Sequence, residues 1–425
     1  MPSYKTLVII ILSLFFVSCV GNKNLQRSDI KLFEAEDQYI LFALEYEKNR
    51  DFYKARQVYF ELFDKTNRYE YLLRFLTISM QLSRFEDVKE YSYKYLDEDT
   101  AHYEDVLRFY AISLLKLGEL DEALKVSLQL LERFNNSDNY ELIANVYFEK
   151  EQYKQAEEYF ESAYISNVSG DTLTNLVDVL YSYLNKKEKA ISYLETHIRL
   201  YGCQGGVCTK LFSFYSEQKN IDGIISVLKK SYFENKAKGD LFSMNRTYKY
   251  LIAYLEQKNI DEAIKFLEEN RVDDFKLLTL YQKKDDKKNA LKLLKELYKS
   301  TGNIDLLAQI AIFKFEVAKD KRKVLKEVIE KFESALMILD NHIYQNYLGY
   351  LLIDYEVDIK KGVLLVEKAL KKAPNNVAYI DSYAWGLYKE KRCKEAYIQM
   401  KKVVDAIGLD EPEIKMHWNK IKECK

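Results

Sequence analysis

The stretch Tyr140-x2-Ile143-Ala144-x2-Tyr147, followed by Ala156-x3-Phe160-x2-Ala163, decides the fold. Its apolar residues recur three and four apart, the period of a helix with one buried face. The small residues Ala144, Ala156 and Ala163 let two antiparallel helices approach closely. Tyr147 and Phe160 fill the space between them. Such a pair has an apolar face that it cannot bury alone, so neighbours must stack.

Working outward, the small or apolar residue that opens the second helix recurs at Ala55, Val88, Ala123, Ala156, Ala190, Ile224, Ala263, Ala290, Gly362 and Ala396. The central spacings are 33, 34 and 34, from Ala123 to Ile224. A further pair fits between Ala290 and Gly362, at Asp305–Ala318 and Arg322–Ala335. The step from Ile224 to Ala263 is long and the next is short, so the register loosens there. This pattern resembles the tetratricopeptide repeat, whose period is 34. The resemblance implies an all-α fold, a superhelical solenoid of about eleven helix-turn-helix repeats over residues 31–425. Its best copies lie near 36–65, 104–169 and 342–404.

Composition agrees. The 425 residues include only 3 prolines and 13 glycines, which leaves few hairpins and few Gly-rich phosphate loops. Hydrophobic residues make up 48% and charged residues 31%, enough to build a core. Net charge is −1, but residues 19–200 carry 23 basic and 33 acidic side chains, whereas residues 201–425 carry 41 and 33. The halves are therefore acidic and basic respectively, a dipole that could orient partners. This balance gives nucleic-acid binding no support.

The N-terminus reads as a targeting signal. Lys5 precedes the apolar run Leu7 to Val17, too short for a bilayer of about 30 Å. Phe16-Val17-Ser18-Cys19 resembles the bacterial lipobox, with Phe16 where Leu is usual. The resemblance implies a signal peptide over 1–18, a diacylglycerol on Cys19 and a lipidated tether over 19–30. Several acyl chains would hold the protein firmly on a membrane. Val20 after the cysteine implies the outer membrane, by resemblance to enterobacterial sorting rules.

Four cysteines remain, and four allow three pairings. Proximity in sequence and the repeat register favour Cys203–Cys208 and Cys393–Cys424. An oxidising periplasm permits both. A zinc half-site at Cys203 and Cys208 is the alternative, but no nearby His or acid cluster completes it.

The C-terminal copies carry more. Tyr347-Leu348-Gly349-Tyr350 is followed by Gly362, Ala369 and Pro374, then by Asp381-Ser382-Tyr383-Ala384-Trp385. This resembles the ending of tetratricopeptide outer-membrane lipoproteins of Gram-negative bacteria, which include the adaptor of a carboxy-terminal processing protease. Ala384 stands where that group has Gly, and the sequence stops soon after His417-Trp418, where relatives often continue.

In such an array the first helix of each pair lines a groove. In register, the groove residues are Glu141, Asn145 and Phe148, then Asn175, and near the C-terminus Asn346, Tyr350, Asp381 and Trp385. Asn can bond an extended peptide through both donor and acceptor, and aromatic rings supply rigid contact area. For each residue taken singly, a packed or solvated role competes with a binding one. Catalytic signatures are missing from the sequence: His102, His197, His342 and His417 are scattered, and Gly-x-Ser-x-Gly, P-loop and His-Glu-x-x-His motifs do not occur.

The expected function is therefore a non-enzymatic scaffold or adaptor, facing the periplasm and requiring no cofactor or metal. Its expected partners are proteins; the resemblance to protease-adaptor lipoproteins implies an envelope protease or cell-wall hydrolases, and the repeat type equally suits components of an assembly machine. Pilus, flagellar or outer-membrane assembly scaffolds resemble it equally in repeat type. A peptidoglycan-acting enzyme with a helical superhelix is the alternative of another class. It would need a globular catalytic domain for which no span is free.

Overall fold

The computed structural model describes residues 31–424, all of them in helices, turns and connecting segments, with no strand among them. The proposed signal peptide, Cys19 and the whole tether lie outside the described residues. The chain divides into two units, residues 1–251 and 252–425.

In the first unit the helices follow in pairs. These are α1 (Glu36–Lys48) with α2 (Phe52–Thr66), α3 (Tyr69–Gln81) with α4 (Phe85–Lys94), and α5 (Tyr103–Lys116) with α6 (Leu120–Arg133). Next come α7 (Ser137–Glu149) with α8 (Tyr153–Ser166), α9 (Gly170–Asp178) with α10 (Lys187–Tyr201), and α11 (Val207–Glu217) with α12 (Ile221–Lys238). The unit boundary falls within α13 (Leu241–Lys258), and α14 (Ile260–Asn270) follows it after one residue. The second unit continues with α15 (Asp274–Lys283) and α16 (Lys287–Thr301), then α17 (Ile304–Val317) and α18 (Lys321–Leu336). It ends with α19 (His342–Asp354) and α20 (Ile359–Lys372), α21 (Val377–Lys389) and α22 (Cys393–Ile407), and a final α23 (Pro412–Lys422).

The loosened register has a simple cause. Helices α12 and α13 have 18 residues each, which lengthens one step, and α14 and α15 have only 11 and 10, which shortens the next. The pair expected at Asp305–Ala318 and Arg322–Ala335 is present as α17 and α18.

The marked small residues sit where the helices of a pair cross. Ala55, Ala123, Ala156, Ala190, Ala290 and Ala396 are all fully buried. About half of the helix starts carry a short polar cap. Asn136 accepts a hydrogen bond from the N–H of Asn139 at 3.1 Å, and Ser169 accepts one from Thr172 at 3.1 Å. The turns inside the pairs share one device, a left-handed residue five positions before the buried small residue. Ser83, Gly118, Glu151, Asn185 and Lys219 all have φ between 53° and 77°. Only one of these five is glycine.

In the second unit two glycines face each other. A Cβ on Gly349 would lie 2.8 Å from the carbonyl oxygen of Gly362, and one on Gly362 would lie 2.7 Å from that of Gly349. The Leu348-Gly349-Tyr350 element is therefore a contact point between the backbones of α19 and α20.

Candidate functional site: the first-helix grooves

In the first unit, α5, α7 and α9 present a groove. A cleft of about 550 Å³ runs between α5 and α7, lined among others by Arg108, Ile112, Asp138, Glu141, Asn145 and Glu149. A second cleft of about 290 Å³ continues towards α9, lined by Asn145, Phe148, Asn175, Asp178, Ser182 and Tyr183 among others. Asn145 lines both, so four sequence-predicted residues, Glu141, Asn145, Phe148 and Asn175, come together on one surface.

Asn145 donates one amide proton to the carbonyl oxygen of Glu141 at 2.9 Å. Asn175 donates to the Glu141 carboxylate at 2.6 Å. Burial pushes the Glu141 carboxyl above its ordinary range, and the Asn175 bond pulls against that shift. Arg108 is committed elsewhere: it pairs with Glu104 and donates to Asn139 at 3.0 Å. Lys210 pairs with Asp178 at 2.8 Å.

An aromatic cluster that the sequence reading missed closes the second cleft. The Phe148 and Tyr183 rings meet edge to face at 4.9 Å, and Tyr153 lies 4.6 Å from Tyr183. Tyr183 is half exposed. It stands 35 residues after Phe148, one more than the repeat period, because the helix ends in a π turn over Val179–Tyr183. Such wide turns insert a residue and re-aim the side chains that follow.

In the second unit a cleft of about 460 Å³ is lined by Asn346 and Tyr350 of α19, Asp381 and Ser382 of α21, and Glu411 and Glu413 at the start of α23, with others. Here the sequence expectation needs correction. Trp385 is not a groove residue. It is 5% exposed, its indole N–H donates to Asp354 at 3.1 Å, and its ring lies 4.2 Å from that of His417. Asp381 is 6% exposed and its carboxylate is held by His417 Nδ1 at 3.0 Å, so it lines the cleft without projecting from it. The cause is α23, which packs on α21 and carries fully buried His417 onto both residues.

Cys203 is paired with Cys208 and Cys393 with Cys424, with Cα separations of 5.1 and 5.5 Å. The second bridge ties the end of α23 to the start of α22. Among the described residues no group of three or more His, Cys, Asp or Glu side chains is placed to hold a metal ion. Among them, too, no helix is long and apolar enough to cross a membrane.

The fold defines the class: an all-α array of tetratricopeptide-like helix-turn-helix repeats. No family model matches the chain, and a search of curated proteins finds no match. Solved structures similar to it include the APC/C hetero-tetramer Cut9–Hcn1, at 12% identity and TM-score 0.39, over 92% of this chain and 97% of that one. PilF of Pseudomonas aeruginosa is similar at 17% identity and TM-score 0.36, over 51% of this chain and 98% of that one. A tetratricopeptide protein of Thermus thermophilus is similar at 15% identity and TM-score 0.35, over 42% and 98%.

Proposed function

We propose that the protein is a non-enzymatic adaptor, anchored by lipid on Cys19 to the outer membrane and facing the periplasm, that binds protein partners along the first-helix groove. The observation that carries the reading is the groove of the first unit. Two adjoining clefts share Asn145 and set carboxamides, a desolvated carboxylate and an aromatic cluster in line over three repeats. That lining suits an extended peptide, whose backbone offers donors and acceptors at regular intervals. The anchor would act geometrically, confining partners to the envelope and raising their effective concentration. Resemblance of the C-terminal copies to protease-adaptor lipoproteins suggests the finer role, presenting substrates such as cell-wall hydrolases to an envelope protease.

Crosslinking in intact cells, followed by mass spectrometry of co-purifying proteins, tests the partner class. Recovery of a carboxy-terminal processing protease or cell-wall hydrolases supports the adaptor role. Recovery of pilus or flagellar components keeps the scaffold and discards the protease. Glu141→Lys with Asn145→Ala should abolish recovery while leaving the helical circular dichroism unchanged; undiminished recovery overturns the groove. Cys19→Ala should move the protein from the membrane to the soluble fraction, and tight membrane retention overturns the anchor.

A further inference from the structure

We infer that the cleft of the second unit receives a cationic side chain, lysine or arginine, from an extended segment of a partner protein. The inference rests on the reading that the first-helix face receives partners, and it adds the chemistry of what enters. The polar lining is rich in acceptors: three carboxylates against the amide of Asn346 and the hydroxyls of Tyr347, Tyr350 and Ser382. Asn346 presents an Oδ1 atom that is buried and has no hydrogen-bond partner. The Asp381 carboxylate lies in the wall, more than nine-tenths buried, with His417 on one side. Glu411 and Glu413 stand at the rim, and Glu413 already accepts the Tyr350 hydroxyl. The Ser382 hydroxyl proton is spent on the Ala378 carbonyl at 2.9 Å.

Among the described residues no lysine or arginine lines this cleft. A buried carbonyl oxygen without a donor is costly, and carboxylates gathered around one cleft repel each other unless a cation joins them. An ammonium or guanidinium group supplies several donors and a positive charge at once. A hydrophobic or anionic guest supplies neither. Tyr347 and Tyr350 also line the cleft, and aromatic rings attract a cation that comes within about 6 Å of them. The volume exceeds that of one side chain, so the adjoining backbone of the guest can enter as well.

The test uses the full chain in detergent and three fluorescein-labelled 12-residue Gly/Ser/Leu peptides. They are identical except for three positions occupied by lysine, norleucine or glutamate. Fluorescence anisotropy should show the lysine peptide binding at least about tenfold tighter than the other two, and weakening as salt rises. Glu411→Gln with Glu413→Gln should cost it about fivefold or more with an unchanged melting temperature. Both side chains are at the rim, so the variant tests charge without opening the core.

Benzoylphenylalanine placed at Ile407, a lining residue, locates the bound peptide. Lysine-selective binding with crosslinks at this position supports the inference. Equal binding of all three peptides with crosslinks at this position overturns the cation rule and leaves the groove reading standing. Binding without such crosslinks, or no binding of the lysine peptide, overturns the site itself.

Discussion

Asn175 donates its side-chain amide to the carboxylate of Glu141 at 2.6 Å, and the two residues are 34 positions apart. The repeat period thus appears as a single hydrogen bond, joining equivalent faces of neighbouring first helices. Asn175→Ala should leave a partly buried carboxylate short of a donor, costing about 1–3 kcal/mol and raising the Glu141 pKa further. The double variant with Glu141→Ala should lose less than the sum of the single changes. Urea unfolding of the four proteins measures the coupling; strict additivity would mean that the bond is not formed.

The turns inside the pairs predict a gain in stability. Lys219 adopts φ +56° and Glu151 φ +57°, a left-handed conformation in which a Cβ is penalised by about 1–2 kcal/mol. Lys219→Gly relieves that penalty, less the greater chain entropy of glycine, and should raise stability by a few tenths to about 1 kcal/mol. Gly118 occupies the same place with φ +77° and open space around its Cβ position. Gly118→Ala should therefore lower stability by about 1 kcal/mol through backbone conformation alone. Calorimetric melting of both variants checks the opposite signs.

The facing glycines predict a larger loss. At Gly349 a methyl group would meet the Gly362 carbonyl oxygen at 2.8 Å and Val366 Cγ2 at 2.7 Å. The oxygen belongs to the backbone and cannot swing aside, so α19 and α20 must separate. Gly349→Ala should destabilise by about 1–3 kcal/mol or more, and Gly362→Ala similarly. A melting temperature equal to wild type for either variant would refute the close backbone approach.

These positions show what was legible in the sequence. The buried alanines advertise the helix pairs because packing admits few alternatives, and helices α7 and α8 lie where the motif around Ile143 and Ala156 places them. The turns are far less legible, because Ser83, Glu151 and Lys219 carry a conformation that glycine usually signals. Glu141, Asn145, Phe148 and Asn175 were readable as one face, since helical register alone sets it. Tyr183 was not, because a π turn shifts it by one residue. Trp385 was misread for a different reason: its neighbour His417 lies 32 residues away on a returning helix, and no local spacing announces that contact.

His197 makes stability depend on pH. Its ring is 2% exposed, with the Tyr164 hydroxyl 2.9 Å from Nδ1. Burial holds its pKa below the ordinary value of 6.5. Below that value the unfolded chain takes up a proton that the folded chain refuses, so stability falls as pH drops until the folded pKa is passed. Unfolding midpoints in urea between about pH 5 and pH 8 should decline on the acid side. The difference between wild type and His197→Gln isolates this residue: the wild-type advantage should be largest near about pH 8, where only the packing contributes, and should shrink towards the acid end. A difference independent of pH would show that the folded imidazole protonates as freely as the unfolded one.

The pair His417 and Asp381 predicts how the final helix is held. His417 is fully buried, its Nδ1 3.0 Å from Asp381 and its ring 4.2 Å from Trp385. Removing one partner of a buried polar pair is more harmful than removing both, because the survivor keeps its desolvation penalty. Asp381→Ala should cost about 3–5 kcal/mol, and His417→Phe, which preserves the stack on Trp385, should cost a similar amount. Combining His417→Phe with Asp381→Leu should recover part of that loss. Tryptophan fluorescence reports the local outcome, since the two tryptophans are Trp385, under α23, and Trp418, on it, and release of α23 exposes both to water and shifts the emission to the red. With the Cys393–Cys424 bridge intact the helix stays tethered at its end, so reduction should widen the difference between His417→Phe and wild type. Equal red shifts in both proteins, reduced or oxidised, would mean that the bridge rather than the buried pair holds α23 in place.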